Sequence, residues 1–201
     1  TVGVNVILTG GGGFATVIGG TDVDTLFNIE NVTGSKNADT LTGDNMNNTF
    51  FGMAGDDFLS GGTSSSTGND SLVGGGGNDT LLGGDGIDTL EGGGDAGTVD
   101  VVSYAYLGTT QGIALTLSGN MTNSFVIAAG TDVDTLINIE GIIGGAGNDT
   151  LAGDDKANYL GGGAGNDLFI VTQGADTIDG GAGTDTLDYS GMVLNLSLIH
   201  I

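Results

Sequence analysis

A nine-residue repeat constrains the fold of this chain more than any other feature of its sequence. Two adjoining copies, Gly74–Leu82 and Gly83–Glu91, follow the pattern Gly-Gly-x-Gly-x-Asp-x-apolar-x. The closely spaced glycines favour a tight turn, because glycine adopts the positive φ angles that other residues resist. The last three positions leave room only for a short strand. A turn and a strand that alternate every nine residues predict a flattened solenoid, in which two repeats make one coil.

The same pattern predicts where the apolar and acidic side chains lie. The eighth-position residues Leu81 and Leu90 should point inward from opposite walls of the solenoid. The sixth-position residues Asp79 and Asp88 should lie on opposite edges, each stacked against the aspartate two repeats away and surrounded by backbone carbonyl groups. Carboxylate and carbonyl oxygens are hard ligands that suit calcium. Magnesium would fit poorly, since it retains its water and requires a tight octahedron.

The nonapeptides resemble the RTX (repeats-in-toxin, hemolysin-type) calcium-binding repeat. The resemblance extends over most of the chain and implies an all-β fold, a right-handed parallel β-roll (a β-solenoid) with several calcium ions bound in its turns. It also implies export by the bacterial type I secretion machinery. The chain would then leave the calcium-poor cytosol unfolded and fold outside the cell or at its surface.

Two kinds of parent protein are compatible with this resemblance. The chain is expected to be a structural or adhesive repeat region of a large secreted adhesin or exoprotein. The alternative is a calcium-dependent chaperone and secretion module at the C-terminus of an extracellular enzyme, such as a protease or lipase. Two long units with a third begun favour the first interpretation, and no sequence feature indicates an adhesive target.

Composition disfavours several other classes of function. The 201 residues include 43 glycines, no cysteine and only two basic side chains, Lys36 and Lys156, and the net charge is -23. Nucleic acid and anionic membrane surfaces are improbable partners, because both require clustered Lys and Arg. Disulfides and thiolate metal sites are excluded. The 38 % apolar content and its regular spacing argue against a flexible linker, and no run of about 20 apolar residues predicts a membrane span.

The sequence contains a second, much longer repeat. Residues 21–34 recur 110 residues later at 131–144, and similar strand-like segments precede them at 2–8 and 112–118. The chain is therefore predicted to be a tandem of two long units with a third begun. The regions are a strand-rich lead-in (1–33), a first repeat block (34–102), a second lead-in (103–143) made of solenoid coils that lack ions, a second repeat block (144–188) and the start of the third unit (189–201).

The final residues are expected to interrupt the third unit. Its lead-in begins at Gly191–Ser197, parallel to Gly112–Ser118, but Leu196–Ile201 looks like a translation of the transposase end sequence used in preparing DNA sequencing libraries. We therefore expect the chain to be a fragment of a larger protein, with a foreign final hexapeptide. The single histidine, His200, lies in that hexapeptide and is accordingly not a ligand candidate.

The candidate calcium ligands are the sixth-position aspartates and the carbonyl groups of the turn glycines. The aspartates are Asp39, Asp57, Asp70, Asp79, Asp88, Asp100, Asp149, Asp167, Asp176 and Asp185. The glycines are Gly75, Gly77, Gly84, Gly86, Gly145, Gly147, Gly163, Gly165, Gly181 and Gly183. Because ions should lie between loops two repeats apart, the strongest pairs are predicted to be Asp57 with Asp79, Asp70 with Asp88, Asp149 with Asp167, and Asp167 with Asp185.

Some of these candidates are open to another interpretation. A sixth-position aspartate can serve only as an Asx-turn residue that caps its loop. The register of Asp100 is uncertain, because its repeat is expanded. Lys156 stands where the third turn glycine belongs and brings a cation to that turn, so the site there is expected to be empty. Asn48 and Asn158 replace the aspartate in other degenerate repeats.

Catalysis is not expected of this chain. Asp22, Asp24 and Glu30 recur as Asp132, Asp134 and Glu140, and one such pair across a cleft would suit a glycosidase. Their recurrence in both units favours a solenoid loop instead. No Ser/His/Asp or Cys/His arrangement can form, since the one histidine is terminal and there is no cysteine. The threonines that follow many aspartates suggest an ice-binding ladder, but plain β-propensity explains them.

Without calcium the chain is expected to be largely unfolded. The stacked aspartates repel one another, and a core one side chain wide per half-coil cannot offset the entropy of ordering the backbone. Calcium would supply the missing stabilisation. Because each coil contacts only its neighbours, folding should then spread along the stack.

Overall fold

The computed structural model describes most of the chain. It covers residues 2–10, 13–17, 23–62, 67–94, 97–118, 123–127 and 133–192, with the backbone alone described for 13–17 and 123–127. The final hexapeptide and most of the predicted third unit therefore lie outside the described residues. No helix in the described residues is long and apolar enough to cross a membrane.

Short β-strands make up the regular structure of the described residues. They are β1 (Val4–Ile7), β2 (Gly13–Val17), β3 (Val23–Leu26), β4 (Asn31–Thr33), β5 (Thr40–Thr42), β6 (Thr49–Ala54), β7 (Phe58–Ser60), β8 (Ser71–Gly76), β9 (Thr80–Leu82), β10 (Thr89–Gly93), β11 (Val101–Ser103), β12 (Ile113–Thr116), β13 (Asn123–Ile127), β14 (Val133–Ile137), β15 (Gly141–Ile143), β16 (Thr150–Ala152), β17 (Tyr159–Gly161), β18 (Leu168–Ile170), β19 (Thr177–Asp179) and β20 (Thr186–Asp188).

The strands form two ten-stranded sheets that face each other. One has the order β19-β17-β15-β11-β9-β7-β5-β1-β2-β3, and the other has the order β20-β18-β16-β12-β13-β14-β10-β8-β6-β4. Within each repeat block, successive strands alternate between the sheets and pair in parallel with the strand one coil away. For example, Leu59 of β7 lies opposite Leu81 of β9. This arrangement confirms the predicted all-β parallel β-solenoid.

The core is a single row of eighth-position side chains between the two sheets. Leu59 and Leu81 come from one sheet, Leu72 and Leu90 from the other, and all four are fully buried. Because each strand is only a few residues long, each half-coil contributes about one large apolar side chain to this core. The predicted inward position of Leu81 and Leu90 on opposite walls is therefore confirmed.

The second lead-in does not consist of further parallel coils, so that prediction is wrong in part. β12 and β14 pair in parallel with repeat strands, but β13 lies between them and is antiparallel to both. The first lead-in has the same arrangement in β1, β2 and β3. The reason is topological: β12 and β13 follow each other within one sheet, with no strand of the other sheet between them, so the chain must reverse its direction.

The turns stack on one another with little space for side chains. Gly75 and Gly77 have φ angles of 112° and 130°. A Cβ atom added at Gly77 would overlap the carbonyl oxygen of Gly55, one coil earlier. Close approach of backbone to backbone, as well as the positive φ, therefore requires glycine at this position.

Gly77→Ala is expected to destabilise the folded chain by about 1–3 kcal/mol, because a side chain at this φ is strained and also meets the Gly55 carbonyl. The matched control is Gly94→Ala, since a Cβ atom added at Gly94 would meet no atom within 4 Å and Gly94 has no positive φ. Thermal unfolding in saturating calcium is the measurement. Equal midpoints for the two variants would show that the turns do not stack as described.

Candidate metal sites in the turns

The sixth-position aspartates form hydrogen-bonded ladders along the two edges of the solenoid. In each step, one Oδ1 atom accepts the backbone N–H group of the aspartate one coil earlier. All four predicted pairs are joined in this way. The donor–acceptor distances are 2.8 Å for Asp57 to Asp79, 2.8 Å for Asp70 to Asp88, 2.8 Å for Asp149 to Asp167 and 3.0 Å for Asp167 to Asp185.

The hydrogen bonding of the second carboxylate oxygen, Oδ2, differs from one aspartate to the next. The Oδ2 atoms of Asp57, Asp70 and Asp167 are buried and have no hydrogen-bond partner among the described residues. A buried carboxylate oxygen without a donor is costly, so such a position favours either a proton or a cation. We call these three residues the open aspartates.

Two other aspartates are satisfied by their own turns. Asp149 accepts a hydrogen bond at Oδ2 from the Gly145 N–H at 2.9 Å, and its Oδ1 accepts the Ile113 N–H. Asp39 accepts the Ser35 N–H at Oδ2 and the Ser35 hydroxyl at Oδ1. Asp39 and Asp149 are equivalent residues at the start of the two blocks. Their carboxylates are therefore weaker candidates for an ion than the open aspartates.

A backbone carbonyl lies beside each open aspartate. A Cβ atom added at Gly52 would overlap Asp57 Oδ2 and would also lie too close to the Gly74 carbonyl oxygen. In the same way, a Cβ atom added at Gly61 would lie too close to Asp70 Oδ2 and the Gly83 carbonyl oxygen. One added at Gly162 would lie too close to Asp167 Oδ2 and the Gly180 carbonyl oxygen. Each open aspartate thus bounds a small space together with a carbonyl from the next coil. This set of hard oxygen donors fits calcium.

Most of the predicted ligand glycines have the expected turn conformation. Positive φ angles occur at Gly75, Gly77, Gly84, Gly86, Gly163, Gly165, Gly181 and Gly183, but not at Gly145 or Gly147. Some of the predicted carbonyls already accept a hydrogen bond. Those of Gly145 and Gly163 accept from Ala164 and Ala182, and that of Gly84 accepts from the Tyr106 hydroxyl. A carbonyl has a second lone pair, so the ligand role of these glycines remains a prediction.

Side chains alone do not assemble a metal centre. No group of three or more Asp, Glu, His or Cys residues that could hold a metal ion occurs in the described part of the chain. Because calcium takes six to eight oxygens, an ion in these turns would need further oxygens, from backbone carbonyls or water, and the ligand role of the turn glycines stays a prediction.

The asparagine repeats satisfy their own polar atoms. Asn48 donates from Nδ2 to the Glu30 carbonyl at 3.3 Å and accepts at Oδ1 from the Asp44 N–H at 3.0 Å. Asn158 makes the same two contacts, with Glu140 and Asp154. An amide in place of the carboxylate therefore satisfies both of its polar atoms without a cation, by donating to the earlier coil instead of accepting from it.

Two carboxylates of the second lead-in join the ladders, a role that the sequence did not reveal. Asp134 Oδ1 accepts the Asp88 N–H at 3.0 Å, and Glu140 Oε2 accepts the Asp100 N–H at 3.1 Å. Asp100 itself accepts the Asp79 N–H at 2.9 Å, which establishes its register. The only available signal was the recurrence of Asp24 and Glu30 at these positions, which favoured a loop without specifying its contacts.

A second ladder of fifth-position side chains runs beside the first and was also missed. The Oδ1 atom of Asn78 accepts the Val99 N–H at 2.8 Å, and Asp56 accepts the Asn78 N–H at 2.8 Å. Asn166 and Asn148 are joined in the same manner in the second block. The signal in the sequence is a preference for Asn or Asp at the fifth position, which the consensus pattern leaves variable.

Burial changes the acidity of the open aspartates. It raises the pKa of Asp57 to about 7 and that of Asp70 to about 6, and neighbouring carboxylates add to the effect. Burial also raises the pKa of Asp167, where Asp185 is the nearby carboxylate. Without a cation, folding therefore favours the protonated form of these groups more than an exposed aspartate would.

The ion-free chain is expected to gain structure as the pH falls from 8 to 5. A raised pKa in the folded state contributes stability that is fully present below the ordinary aspartate pKa and is lost as the pH rises through about 6 to 7. Protons and calcium then stabilise the same folded state, so the calcium concentration for half-folding should fall as the pH falls from 8 to 5. Circular dichroism at each pH, with and without calcium, measures both effects. A half-folding concentration independent of pH would contradict this account.

Comparison with known families matches the repeats. The RTX calcium-binding nonapeptide repeat matches in four copies, at residues 33–65, 64–99, 142–169 and 161–191, and these copies together cover more than half of the chain. They contain all three open aspartates and the four hydrogen-bonded pairs. No curated protein matches the chain.

Proposed function

Because the chain belongs to the family of RTX calcium-binding nonapeptide repeat proteins, we propose that it is a region of a secreted bacterial protein that folds on calcium binding after type I export. Its role outside the cell would be structural or adhesive. The observation that carries this proposal is the buried, unpartnered Oδ2 atom of Asp57, Asp70 and Asp167 beside a glycine carbonyl of the next coil.

The open aspartates would hold the ions together with turn carbonyls. Calcium, when bound, would supply positive charge that neutralises the buried carboxylates. The residues of the chain position that charge: Asp57 Oδ1 is fixed by the Asp39 N–H, which leaves Oδ2 directed toward the space beside Gly52. The ladder thus orients each carboxylate before an ion arrives. In a calcium-poor cytosol the same carboxylates would disfavour folding, as export of an unfolded chain requires.

A structural role accounts for the acidic residues without catalysis. The RTX β-solenoid is a structural calcium-binding domain, and the pair weighed as a possible catalytic centre, Asp134 and Glu140, accepts ladder hydrogen bonds. Asp134 also accepts the Tyr104 hydroxyl at 3.0 Å. We therefore propose no enzymatic activity for this region. The recurrence of two similar units supports a long extracellular repeat region over an enzyme tail.

Equilibrium dialysis of the ion-free chain tests the proposal. The chain is expected to take up several calcium ions, with half-saturation at about 10⁻⁴ to 10⁻³ M as in other extracellular calcium modules. Excess magnesium should displace few of them, because the ligands are flexible carbonyls and carboxylates rather than a tight octahedron. Equal uptake of the two metals would mean that the acidic chain only attracts divalent counter-ions.

A further inference from the structure

Two successive turns of the second block satisfy their sixth-position side chains with donors from the protein itself. In turn 144–149, the two carboxylate oxygens of Asp149 accept backbone N–H groups at 2.8 and 2.9 Å. In turn 153–158, the side-chain amide of Asn158 both donates to and accepts from the backbone. Among the described residues, neither side chain has a buried polar atom without a partner, unlike the open aspartates. We call these two turns the closed turns.

The second closed turn also carries its own positive charge. Burial raises the pKa of the Glu140 carboxyl, and the charge of Lys156 opposes that rise. The Lys156 N–H donates to Asp154 Oδ1 at 2.7 Å, which holds the backbone of the turn. A lysine charge and backbone donors thus provide here the neutralisation that the open aspartates would need from calcium.

Tyrosine hydroxyls join the last coil of the first block to the second lead-in. Tyr104 is fully buried and donates to Asp134 Oδ2 at 3.0 Å. Asp134 Oδ1 accepts the Asp88 N–H, so this carboxylate makes the ladder contact of a sixth-position aspartate and receives a hydroxyl donor as well. The Tyr106 hydroxyl donates to the Gly84 carbonyl at 2.8 Å. Protein donors therefore satisfy this coil in the same manner as the closed turns.

The second lead-in buries more apolar side chains than a stretch of repeats of about equal length. Among the described residues of 103–143, the buried apolar side chains are Tyr104, Leu107, Ile113, Leu115, Leu117, Leu136, Ile139 and Ile142. Among those of 52–91, they are Leu59, Leu72, Leu81 and Leu90. Greater burial offsets more of the entropy of ordering the backbone, so the lead-in needs less stabilisation from ions.

The closed turns pack on this lead-in core. A Cβ atom added at Gly145 would lie 2.9 Å from the Cβ of Leu107, and the Ala146 N–H donates to the Leu107 carbonyl at 3.1 Å. Strands β12 and β15 of the lead-in pair in parallel with β16 and β17, which follow the closed turns. The lead-in and the closed turns thus form one packed unit. We call its described residues, 103–118 and 133–161, the junction segment.

The first unit has the same pair of turns 110 residues earlier. Asp39 and Asn48 correspond to Asp149 and Asn158. Asp39 accepts at both carboxylate oxygens from Ser35, and Asn48 makes the same two backbone contacts as Asn158. A closed aspartate turn followed by a closed asparagine turn is therefore a feature of both units.

We propose that the junction segment is the first part of the chain to fold as the calcium concentration rises, and the last to unfold as calcium is withdrawn. The ion-dependent coils on either side then extend from it, since each coil contacts only its neighbours. The remaining coils still need calcium, so the chain as a whole stays largely disordered without it. This inference rests on the proposed function and adds a folding start within the repeat region.

Hydrogen exchange of single amides in the whole chain tests this order of folding. The amides of Gly145 and Asp154 report on the closed turns, and those of Asp57 and Asp70 report on the ladders between open coils. Exchange is measured at about one tenth of the half-saturating calcium concentration, where binding adds almost no stability. There the closed-turn amides are expected to exchange about tenfold or more slower than in an unfolded chain, while the ladder amides exchange at the unfolded rate.

A single substitution tests whether the closed turns cause this difference. Asn158→Asp removes the donor to the Glu140 carbonyl and is expected to abolish the protection of the closed-turn amides at low calcium. Saturating calcium should restore it, because the neighbouring coils then hold the turn. The matched control is Asn166→Asp, which makes the same change in charge at an exposed fifth position, where Asp56 shows that aspartate fills the acceptor role. The control should keep the protection.

The wild-type comparison decides the proposal even if Asn158→Asp does not fold. The proposal is overturned if both kinds of amide gain protection at the same calcium concentration, or if the two asparagine variants protect the closed turns equally at low calcium. Protection of the Asp57 and Asp70 amides that does not depend on calcium would instead count against the proposed function.

Discussion

The variant with asparagine at Asp57, Asp70 and Asp167 is expected to lose most of the stabilisation that calcium gives the wild-type chain. An amide at these positions can donate a hydrogen bond to a backbone carbonyl one coil earlier, as Asn48 donates to Glu30 and Asn158 to Glu140. It would therefore satisfy its polar atoms without an ion. At a free calcium level about tenfold above Kd, each lost site removes roughly 1.4 kcal/mol, and three sites remove about 4 kcal/mol.

Thermal unfolding at low and high calcium measures this loss. For a chain of this size, about 4 kcal/mol corresponds to a calcium-dependent rise in Tm that is smaller by roughly 8–16 °C. The matched control replaces three exposed aspartates, Asp24, Asp155 and Asp179, by asparagine, so that the change in net charge is the same. That control variant should show the same calcium-dependent rise in Tm as the wild-type chain. Equal losses in both variants would show that calcium acts through net charge rather than through the open aspartates.

A second large effect is expected on the wild-type chain itself. Without calcium at neutral pH, buried carboxylates would have to be protonated or left unsatisfied, because burial raises the pKa of Asp57 to about 7 and of Asp70 to about 6. Each half-coil buries about one apolar side chain, which cannot offset the ordering of nine residues. The chain is therefore expected to be largely disordered without calcium and rich in β-structure with it. Magnesium should be far less effective.

The repeat blocks could be predicted from the sequence because their information is local. Each turn and its strand are encoded within nine residues, so the burial of Leu81 and Leu90 and the pairing of Asp57 with Asp79 follow from spacing alone. The expanded repeat before Asp100 hides its register, because inserted residues alter the count. The ladder contact with Asp79 restores that register, and it can be seen only once the coils are stacked.

The open aspartates could not be distinguished from the others by sequence. Asp149 and Asp167 both end the segment Gly-Gly-Ala-Gly-Asn-Asp, yet Asp149 Oδ2 is hydrogen-bonded by Gly145 and Asp167 Oδ2 is not. Gly163 has a φ of 93°, while the equivalent Gly145 packs against Leu107 of the lead-in and has no positive φ. The same six residues thus adopt two turn conformations, because one turn stacks on a repeat and the other on a lead-in.

The prediction for the second lead-in was wrong in part for a similar reason. Alternation of apolar and polar residues is the same for parallel and antiparallel strands. Only the order of strands within the sheet shows that β13 reverses direction. The role of Asp134 and Glu140 in the ladders follows from that arrangement, since it places β14 and β15 against the preceding block.

Far-ultraviolet circular dichroism of the ion-free chain at neutral pH, titrated with calcium and separately with magnesium, tests calcium-dependent folding most directly. Calcium is expected to convert a spectrum of disordered chain into one of β-structure at about 10⁻⁴ to 10⁻³ M, and magnesium at the same concentrations should leave the chain disordered. A spectrum that is unchanged by about 10 mM calcium, a level well above the expected Kd, would contradict the account.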